Sequence, residues 1–116
     1  MPDTLPAPHA MSSAVEISVV VPVFDEEPNL PLLHEEIVRA LDGMGASWEV
    51  LYVDDRSRDG SLRVLLDLWK RDPRVRVVQF RARCGQTAAM AAGFEHARGA
   101  VVVTLDGDLQ NDPADI

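Results

Sequence analysis

Apolar residues along the chain follow two alternating rhythms. Four short runs, Ile17 to Val23, Glu49 to Val53, Val75 to Phe80 and Ala100 to Leu105, are rich in β-branched side chains and bounded by polar or turn residues, the pattern of buried strands. The first and last are almost continuously apolar, as suits parallel strands covered on both faces. Between the runs the period lengthens. Leu30, Leu33, Ile37 and Leu41 recur at three- and four-residue spacing, and so do Leu62, Leu65, Leu66 and Trp69. These patterns predict two helices, each burying one stripe. A third helix is predicted from about Gln86 to Arg98, where Ala88, Ala89, Ala91, Ala92, Ala97 and Gly93 present only small side chains. Such a surface approaches a sheet closely, although Gly93 costs about 1 kcal/mol of helix propensity relative to alanine.

Strand, helix, strand, repeated with short connections, implies right-handed crossovers and a parallel sheet. The fold class expected is therefore α/β, a Rossmann-like parallel sheet with flanking helices. With 116 residues, 47% hydrophobic and 26% charged, the composition is that of one soluble globular domain with a real core. Met1 to Ala14 contains Pro2, Asp3, Pro6 and Pro8 and lacks both the basic start and the apolar centre of a leader. It is predicted to be a flexible tail, leaving residues 15–116 as the domain. No run approaches the roughly 18 apolar residues of a membrane span.

Charge and cysteine usage narrow the partners. A formal net charge of -8 repels nucleic-acid phosphates and anionic lipid surfaces at long range, so a nucleic-acid partner is not expected. Lys70 is the only lysine, and the other ten cations are arginines, whose planar forks suit bidentate contact with phosphate. Cys84 stands alone, which excludes an intrachain disulfide and a CxxC site and points to a reducing, cytoplasmic compartment.

In open parallel sheets ligands bind beyond the carboxyl ends of the strands, and here the loops at those ends hold most of the unusual residues. They are Pro22-Val23-Phe24-Asp25-Glu26-Glu27, Asp54-Asp55-Arg56-Ser57-Arg58-Asp59-Gly60, Arg81-Ala82-Arg83-Cys84-Gly85-Gln86 and Asp106-Gly107-Asp108-Leu109-Gln110. Carboxylates gathered at one edge repel unless something positive joins them. Asp106 and Asp108 flank a glycine that can turn both toward one point. Hard oxygen ligands of this kind suit Mg²⁺ or Mn²⁺ shared with substrate phosphates, and Gln110 can add a carbonyl oxygen. Two plainer readings stand beside this one. Asp-Gly-Asp is also a common loop composition, and Asp54-Asp55 is equally a solvated turn or a helix cap, with Asp59 or Ser61 as the actual N-cap.

Taken in order, Val20-Val21-Pro22-Val23-Phe24-Asp25-Glu26-Glu27-Pro28-Asn29-Leu30, Val53-Asp54-Asp55-Arg56-Ser57-Arg58-Asp59-Gly60-Ser61, Gly85-Gln86-Thr87-Ala88-Ala89 with Ala97-Arg98-Gly99, and Asp106-Gly107-Asp108-Leu109-Gln110-Asn111-Asp112-Pro113 resemble the family 2 glycosyltransferases of GT-A fold. The similarity is greatest to dolichyl-phosphate and undecaprenyl-phosphate sugar synthases. It runs from about Ile17 to the last residue.

The resemblance implies a nucleotide-sugar donor whose base and ribose are bordered by Pro22, Phe24 and Glu26, with Asp55 accepting a hydrogen bond from the base and Asp54 structural. It implies a cation, Mg²⁺ or Mn²⁺, at Asp106, Asp108 and Gln110 bridging the donor diphosphate, with Asp106 and Asp108 counted as the catalytic pair. Relatives usually carry Arg-Asn-aromatic-Gly before the third helix, whereas here Ala82, Arg83 and Cys84 precede Gly85. The usual arginine is replaced in role by Arg81 or Arg83, or the donor site is weakened. Backbone N–H groups at Gly85 can still face an anion.

The reaction implied is a single inverting displacement at the anomeric carbon, with cation and arginines stabilising charge on the leaving nucleoside diphosphate. A polyprenyl phosphate acceptor, already an anion, needs no strong protein base, whereas a hydroxyl acceptor would. Relatives continue well past the Asp-x-Asp loop. The chain is thus expected to hold the donor and metal site only, to be inactive in transfer by itself and to self-associate, and a longer parent would work at the cytoplasmic face of a membrane. A truncated, non-catalytic nucleotide-binding relative is the alternative. His9, His34 and His96 are poor candidates for chemistry, and Trp48 and Trp69 read as packing residues. A phosphoacceptor receiver is disfavoured because Lys70 ends a helix, and a dinucleotide oxidoreductase because GxGxxG is missing.

Overall fold

The alternating rhythm folds largely as read. In the computed structural model, which describes residues 2–5 and 14–105, the elements are β1 Pro2–Leu5, β2 Ile17–Val23, α1 Leu30–Asp42, β3 Trp48–Asp54, α2 Ser61–Arg71, β4 Val75–Phe80, α3 Gln86–His96 and β5 Val101–Thr104. Strands β2 and β4 match the predicted bounds. Strand β3 is longer by one residue at each end, and β5 and α3 are slightly shorter than predicted.

The sheet order is β1-β4-β3-β2-β5, with β2 to β5 parallel. The chain steps outward from β2 to β3 to β4 through α1 and α2, whose Leu30, Leu33, Ile37, Leu41, Leu65 and Leu68 pack on Val19, Val21, Val50, Tyr52 and Val77. Helix α3 then returns over the opposite face, where Ala89 and Ala92 meet Val20, Val53 and Val78, and delivers β5 to the far side of β2. Right-handed crossovers require this change of face when the direction reverses. The reversal makes β2 the topological switch point, beside which α/β sheets leave a crevice for ligands.

Two expectations need correction. Pro2–Leu5 lies in the stretch read as a flexible tail, yet it pairs antiparallel with β4, Pro2 opposite Phe80 and Leu5 opposite Val77. Prolines misled here because a proline at the first residue of an edge strand sacrifices no ladder bond, while the outer edge of β4 offers unpaired backbone groups. Strand β5 is also less covered than its apolar run implied. Val101 and Val102 are 56% and 39% exposed, and among the described residues β5 pairs with β2 alone. Pro22 is compatible with a central strand for a related reason. Pro22 lies past the last registered β2–β5 pair, Val20 opposite Thr104, so the N–H it lacks interrupts no pair inside the described ladder.

At the amino ends of the strands the buried Glu49 joins three elements. It accepts from Ser18 Oγ (2.6 Å), the Arg98 N–H (2.8 Å) and guanidinium (3.1 Å), and Arg76 Nη1 (3.1 Å). Burial pushes its pKa up, but Ser18, the Arg98 amide and Arg76 more than offset this and hold it below the ordinary 4.5. On the α1–α2 face, buried His34 bridges the Tyr52 hydroxyl (2.8 Å) and Asp72 (3.1 Å), and Trp48 Nε1 donates to Asp42 beneath the Arg74 guanidinium. These groups are structural, and none borders the carboxyl-end loops.

Gly93 decides how closely α3 lies on the sheet. A Cβ there would come within 2.2 Å of Val20 Cγ1, so overpacking of about 1–3 kcal/mol outweighs the ~1 kcal/mol of helix propensity that alanine returns. Gly93→Ala is expected to lower the melting temperature, and adding Val20→Ala to restore part of it. A more stable single variant would show that α3 is not seated this way.

A depressed carboxylate stabilises the fold above its unfolded pKa, and that contribution is lost as pH falls through the folded value. Glu49→Gln should therefore cost about 3 kcal/mol at neutral pH, as breaking a buried pair does. The gap from wild type should shrink in denaturant titrations below the ordinary 4.5. A gap independent of pH would contradict the assignment.

Candidate functional site

Two loops at the carboxyl edge, one leaving β2 and one leaving β3, are stitched together by acidic and hydroxyl side chains. Asp25 holds a left-handed backbone, φ 53, a conformation that asparagine and aspartate tolerate better than most residues. Its carboxylate accepts from the Arg58 N–H (2.7 Å), Arg58 Nε (3.1 Å) and Nη2 (2.9 Å), and the Asp59 N–H (3.3 Å). Desolvation raises the Asp25 pKa, but the Arg58 amide and guanidinium outweigh it, so the carboxyl stays below its ordinary range. In return the Asp25 N–H donates to Ser57 Oγ (3.0 Å). The Glu26 N–H donates to Ser61 Oγ (2.9 Å), and Gly60 N–H to Glu27 (2.8 Å). The entry to α2 is capped from two residues before the helix, since Asp59 Oδ1 accepts from both the N–H (2.9 Å) and the Oγ (2.6 Å) of Ser61.

The acidic pair that ends β3 divides its work. Asp54 is fully buried and accepts from Ser57 Oγ at 2.5 Å. Burial pushes its pKa up, Ser57 only partly opposing this. Asp55, 3% exposed, turns the other way. One of its oxygens accepts from the Cys84 N–H at 2.7 Å and the other from the Gly85 N–H at 2.9 Å. This clamp fastens the loop leaving β4 to the end of β3. Gly85 accommodates it with φ 98, where a side chain would be strained.

The clamp also brings the third loop onto the first. The Arg83 guanidinium carbon lies 3.7 Å from the centre of the Phe24 ring, and that of Arg58 lies 5.2 Å from it. Arg83 Nε is 3.8 Å from Asp55, a loose ion pair.

Of the residues singled out from the sequence, Phe24, Asp55, Arg83 and Gly85 are thus brought together. Pro22 lies in β2 behind Phe24, and the Glu26 carboxylate accepts from Asn29 Nδ2 at 2.9 Å. Arg81 is exposed immediately after β4. Asp106, Asp108 and Gln110, with His9, lie outside the described residues. Among the described residues no three acidic, histidine or cysteine side chains form a metal-holding group. The sequence reading missed Arg58 and Ser57. Their signal was an acid in one loop matched by a base and a hydroxyl in the loop of the neighbouring parallel strand.

A sheet that reverses at β2, with arginines and tied-down loops at its carboxyl edge, is the architecture in which α/β proteins hold ligands at a switch point. The chain matches the family model for glycosyl transferase family 2 over residues 18–116 and belongs to that family. It is 41% identical over 104 residues to dodecaprenyl-phosphate galacturonate synthase of Rhizobium johnstonii, covering 89% of this chain. To undecaprenyl-phosphate 4-deoxy-4-formamido-L-arabinose transferase of Aeromonas hydrophila it is 43% identical over 101 residues, covering 86%. The chain spans 31% of the length of each of these curated relatives.

Among solved structures, mannosyltransferase PcManGT from Pyrobaculum calidifontis, in complex with GDP-Man and Mn²⁺, superimposes with a TM-score of 0.70 at 26% identity over 91% of this chain and 30% of its own. TarS of S. aureus shares the fold, TM-score 0.65 at 24% identity over 80% of this chain and 27% of its own. The fold is that of GT-A glycosyltransferases, partly covered. No described helix is long and apolar enough to cross a membrane.

Asp55→Asn replaces one of two acceptors by a donor that faces an N–H, and an unsatisfied buried group costs about 1–3 kcal/mol. Hydrogen exchange at the Cys84 and Gly85 amides should accelerate well beyond any change at Asp25 to Glu27. Unchanged exchange at those two amides would contradict the clamp.

Proposed function

We propose that the chain carries the donor-binding part of an enzyme that transfers a sugar from a nucleoside-diphosphate donor to a polyprenyl phosphate. The observation that carries the reading is the convergence of three strand-end loops at the switch point, with Phe24, Arg83 and Asp55 in one cluster. The names of the relatives support the acceptor class, and PcManGT, bound to GDP-Man and Mn²⁺, supports the donor class and a divalent cation. In this reading Pro22, Phe24, Glu26, Asp55, Arg81, Arg83 and Gly85 border the nucleotide.

Asp106, Asp108 and Gln110 follow β5 directly in sequence, and the last described residue, Leu105, is joined to Val20 of the switch-point strand. Carboxylates there suit Mg²⁺ or Mn²⁺. When bound, the cation would neutralise charge on the leaving diphosphate. The chain's own described residues contribute orientation: Asp25 fixes Arg58, and Asp55 fixes the loop that carries Arg83. A polyprenyl phosphate supplies its own anionic nucleophile, so the absence of an assigned base among these loops is compatible with transfer. In a longer parent the reaction would take place at the cytoplasmic face of a membrane. The exposed Val101, Val102 and Phe94 support self-association through the β5 edge that is unpaired among the described residues.

Calorimetric titration of UDP and GDP into the chain, with and without Mn²⁺, tests the reading. Binding of one nucleotide should require the cation, and Asp108→Asn should weaken it by at least about tenfold, the scale on which even outer-shell partners of metal ligands act. Equal affinity with and without Mn²⁺, or in the variant, would contradict the metal assignment. Light scattering on the same samples should show concentration-dependent association, and a monomer throughout would remove the β5 edge as a contact.

A further inference from the structure

The side chains of β5 say little about where along β2 the strand should sit. It reads Val101-Val102-Val103-Thr104, so sliding it by one or two positions largely exchanges one β-branched residue for another. Register is weakly specified where neither pattern nor burial separates the alternatives, and Val101 and Val102 are exposed. What singles out the observed register lies just before the strand. The Gly99 N–H donates to Ser18 Oγ (2.8 Å), and Ser18 Oγ donates in turn to Glu49 Oε2 (2.6 Å). The same carboxylate oxygen accepts from the Arg98 N–H (2.8 Å), while Arg98 Nε (3.2 Å) and Nη2 (3.1 Å) reach Glu49 Oε1. Arg76 Nη1 donates both to Glu49 Oε1 (3.1 Å) and to the His96 carbonyl at the end of α3 (2.7 Å). A Cβ at position 99 would lie 2.6 Å from the Ser18 nitrogen, so only a glycine comes this close to β2.

We propose that Ser18, Glu49, Arg98 and Gly99 form a register lock for β5, and that through it the amino end of the sheet positions the chain where it leaves the carboxyl end. The lock ties two consecutive amides, those of Arg98 and Gly99, to fixed points on β3 and β2. Its anchor is a buried carboxylate, and bonds to a charged acceptor are about twice as strong as neutral ones. A slip of two residues would keep the valines on the same faces. It would also carry both amides about 6–7 Å from their acceptors and leave the buried Glu49 short of donors. The point of exit at Leu105, whose N–H now donates to the Val20 carbonyl, would move by the same distance. Leu105 directly precedes Asp106 and Asp108. Ser18 and Glu49 are thus positioning residues that act through β5 rather than by contact. This last step rests on the reading of Asp106, Asp108 and Gln110 as part of the donor site, whereas the lock itself does not.

The experiment is amide NMR with hydrogen exchange on the 116-residue chain and its Ser18→Ala and Arg98→Ala variants. Val77→Ala serves as a control for general loss of stability, since β4 is separated from β5 by β3 and β2. The Arg98 side chain is 41% exposed, so Arg98→Ala is the milder variant and decides the matter if Ser18→Ala does not fold. In both, exchange at the Val101 and Leu105 amides should accelerate about tenfold, the scale of one lost hydrogen bond to a charged network. The Val50 and Asp55 amides, bonded to Arg74 and Val23, should change by less than about twofold. Cross-strand contacts of a second β2–β5 register should appear, and the amide shifts of Asp106 to Gln110 should move. Val77→Ala should accelerate all four amides alike and leave those shifts in place. Titrated with UDP or GDP and Mn²⁺, Ser18→Ala should bind about tenfold more weakly than Val77→Ala. Equal acceleration at all four amides in Ser18→Ala, or unchanged exchange at Val101 and Leu105, would overturn the lock. Altered β5 pairing with unmoved shifts at Asp106 to Gln110, or with undiminished nucleotide affinity, would overturn the positioning role. If the wild type binds no nucleotide, the nucleotide reading fails, while exchange and shifts still decide the lock.

Discussion

Two backbone amides ending on one buried carboxylate organise the carboxyl edge of this sheet. Asp55 leaves β3 where the central strands are already fixed by an apolar core on both faces, and its oxygens capture the Cys84 and Gly85 N–H groups. Without that capture the segment between β4 and α3 would have to satisfy its amides with water, and nothing described would hold Arg83 over Phe24. Charge-assisted bonds to backbone amides are about twice as strong as neutral ones. A buried acid therefore does here what a longer run of regular structure would otherwise do. The same device recurs next door, where Asp25 gathers the amides of Arg58 and Asp59 at the cost of a left-handed backbone.

The two ends of the sheet use charge for different ends. At the amino ends Glu49 is surrounded by Ser18, Arg76 and Arg98, and every charge has a protein partner. That cluster joins β2, β3 and β4 to the segment leaving α3 and presents nothing to a ligand. At the carboxyl ends, Asp54 and Asp55 are committed to hydroxyl and backbone donors, Arg58 is paired with Asp25, and the Arg83 side chain is 63% exposed. The chain as a whole carries a net charge of -8. Its bulk acidity argues against long-range attraction of polyanions but not against a small phosphorylated ligand at this edge.

Much of the fold was legible because period and burial coincide. The stripe Leu30, Leu33, Ile37 and Leu41 is buried throughout, and β2 and β4 begin and end where their apolar runs do. Proline content misled at Pro2–Leu5, where edge pairing tolerates what an inner strand would not. At β5 the almost continuous apolar run suggested cover on both faces, whereas Val101 and Val102 are exposed among the described residues. For the site, the four loops were legible from the rule that strand ends carry function. The partner of each acid was not. Asp55 read as a residue directed at a ligand, yet its oxygens reach backbone N–H groups about thirty positions along the chain, a pairing that no local spacing announces. Glu49 looked like one residue of a strand because its arginines arrive from β4 and from beyond α3.

The central claim, that the carboxyl edge of the sheet at β2 is a nucleotide site built from three tied loops, is tested most directly by backbone amide chemical-shift mapping. The chain would be titrated with UDP or GDP in the presence of Mg²⁺. The account predicts that the largest changes fall together on Phe24 to Glu27, Ser57 to Ser61 and Arg83 to Gln86, with the amides around Glu49, Arg76 and Arg98 unmoved. Changes centred on that opposite cluster, or spread evenly with no maximum at the three loops, would contradict it.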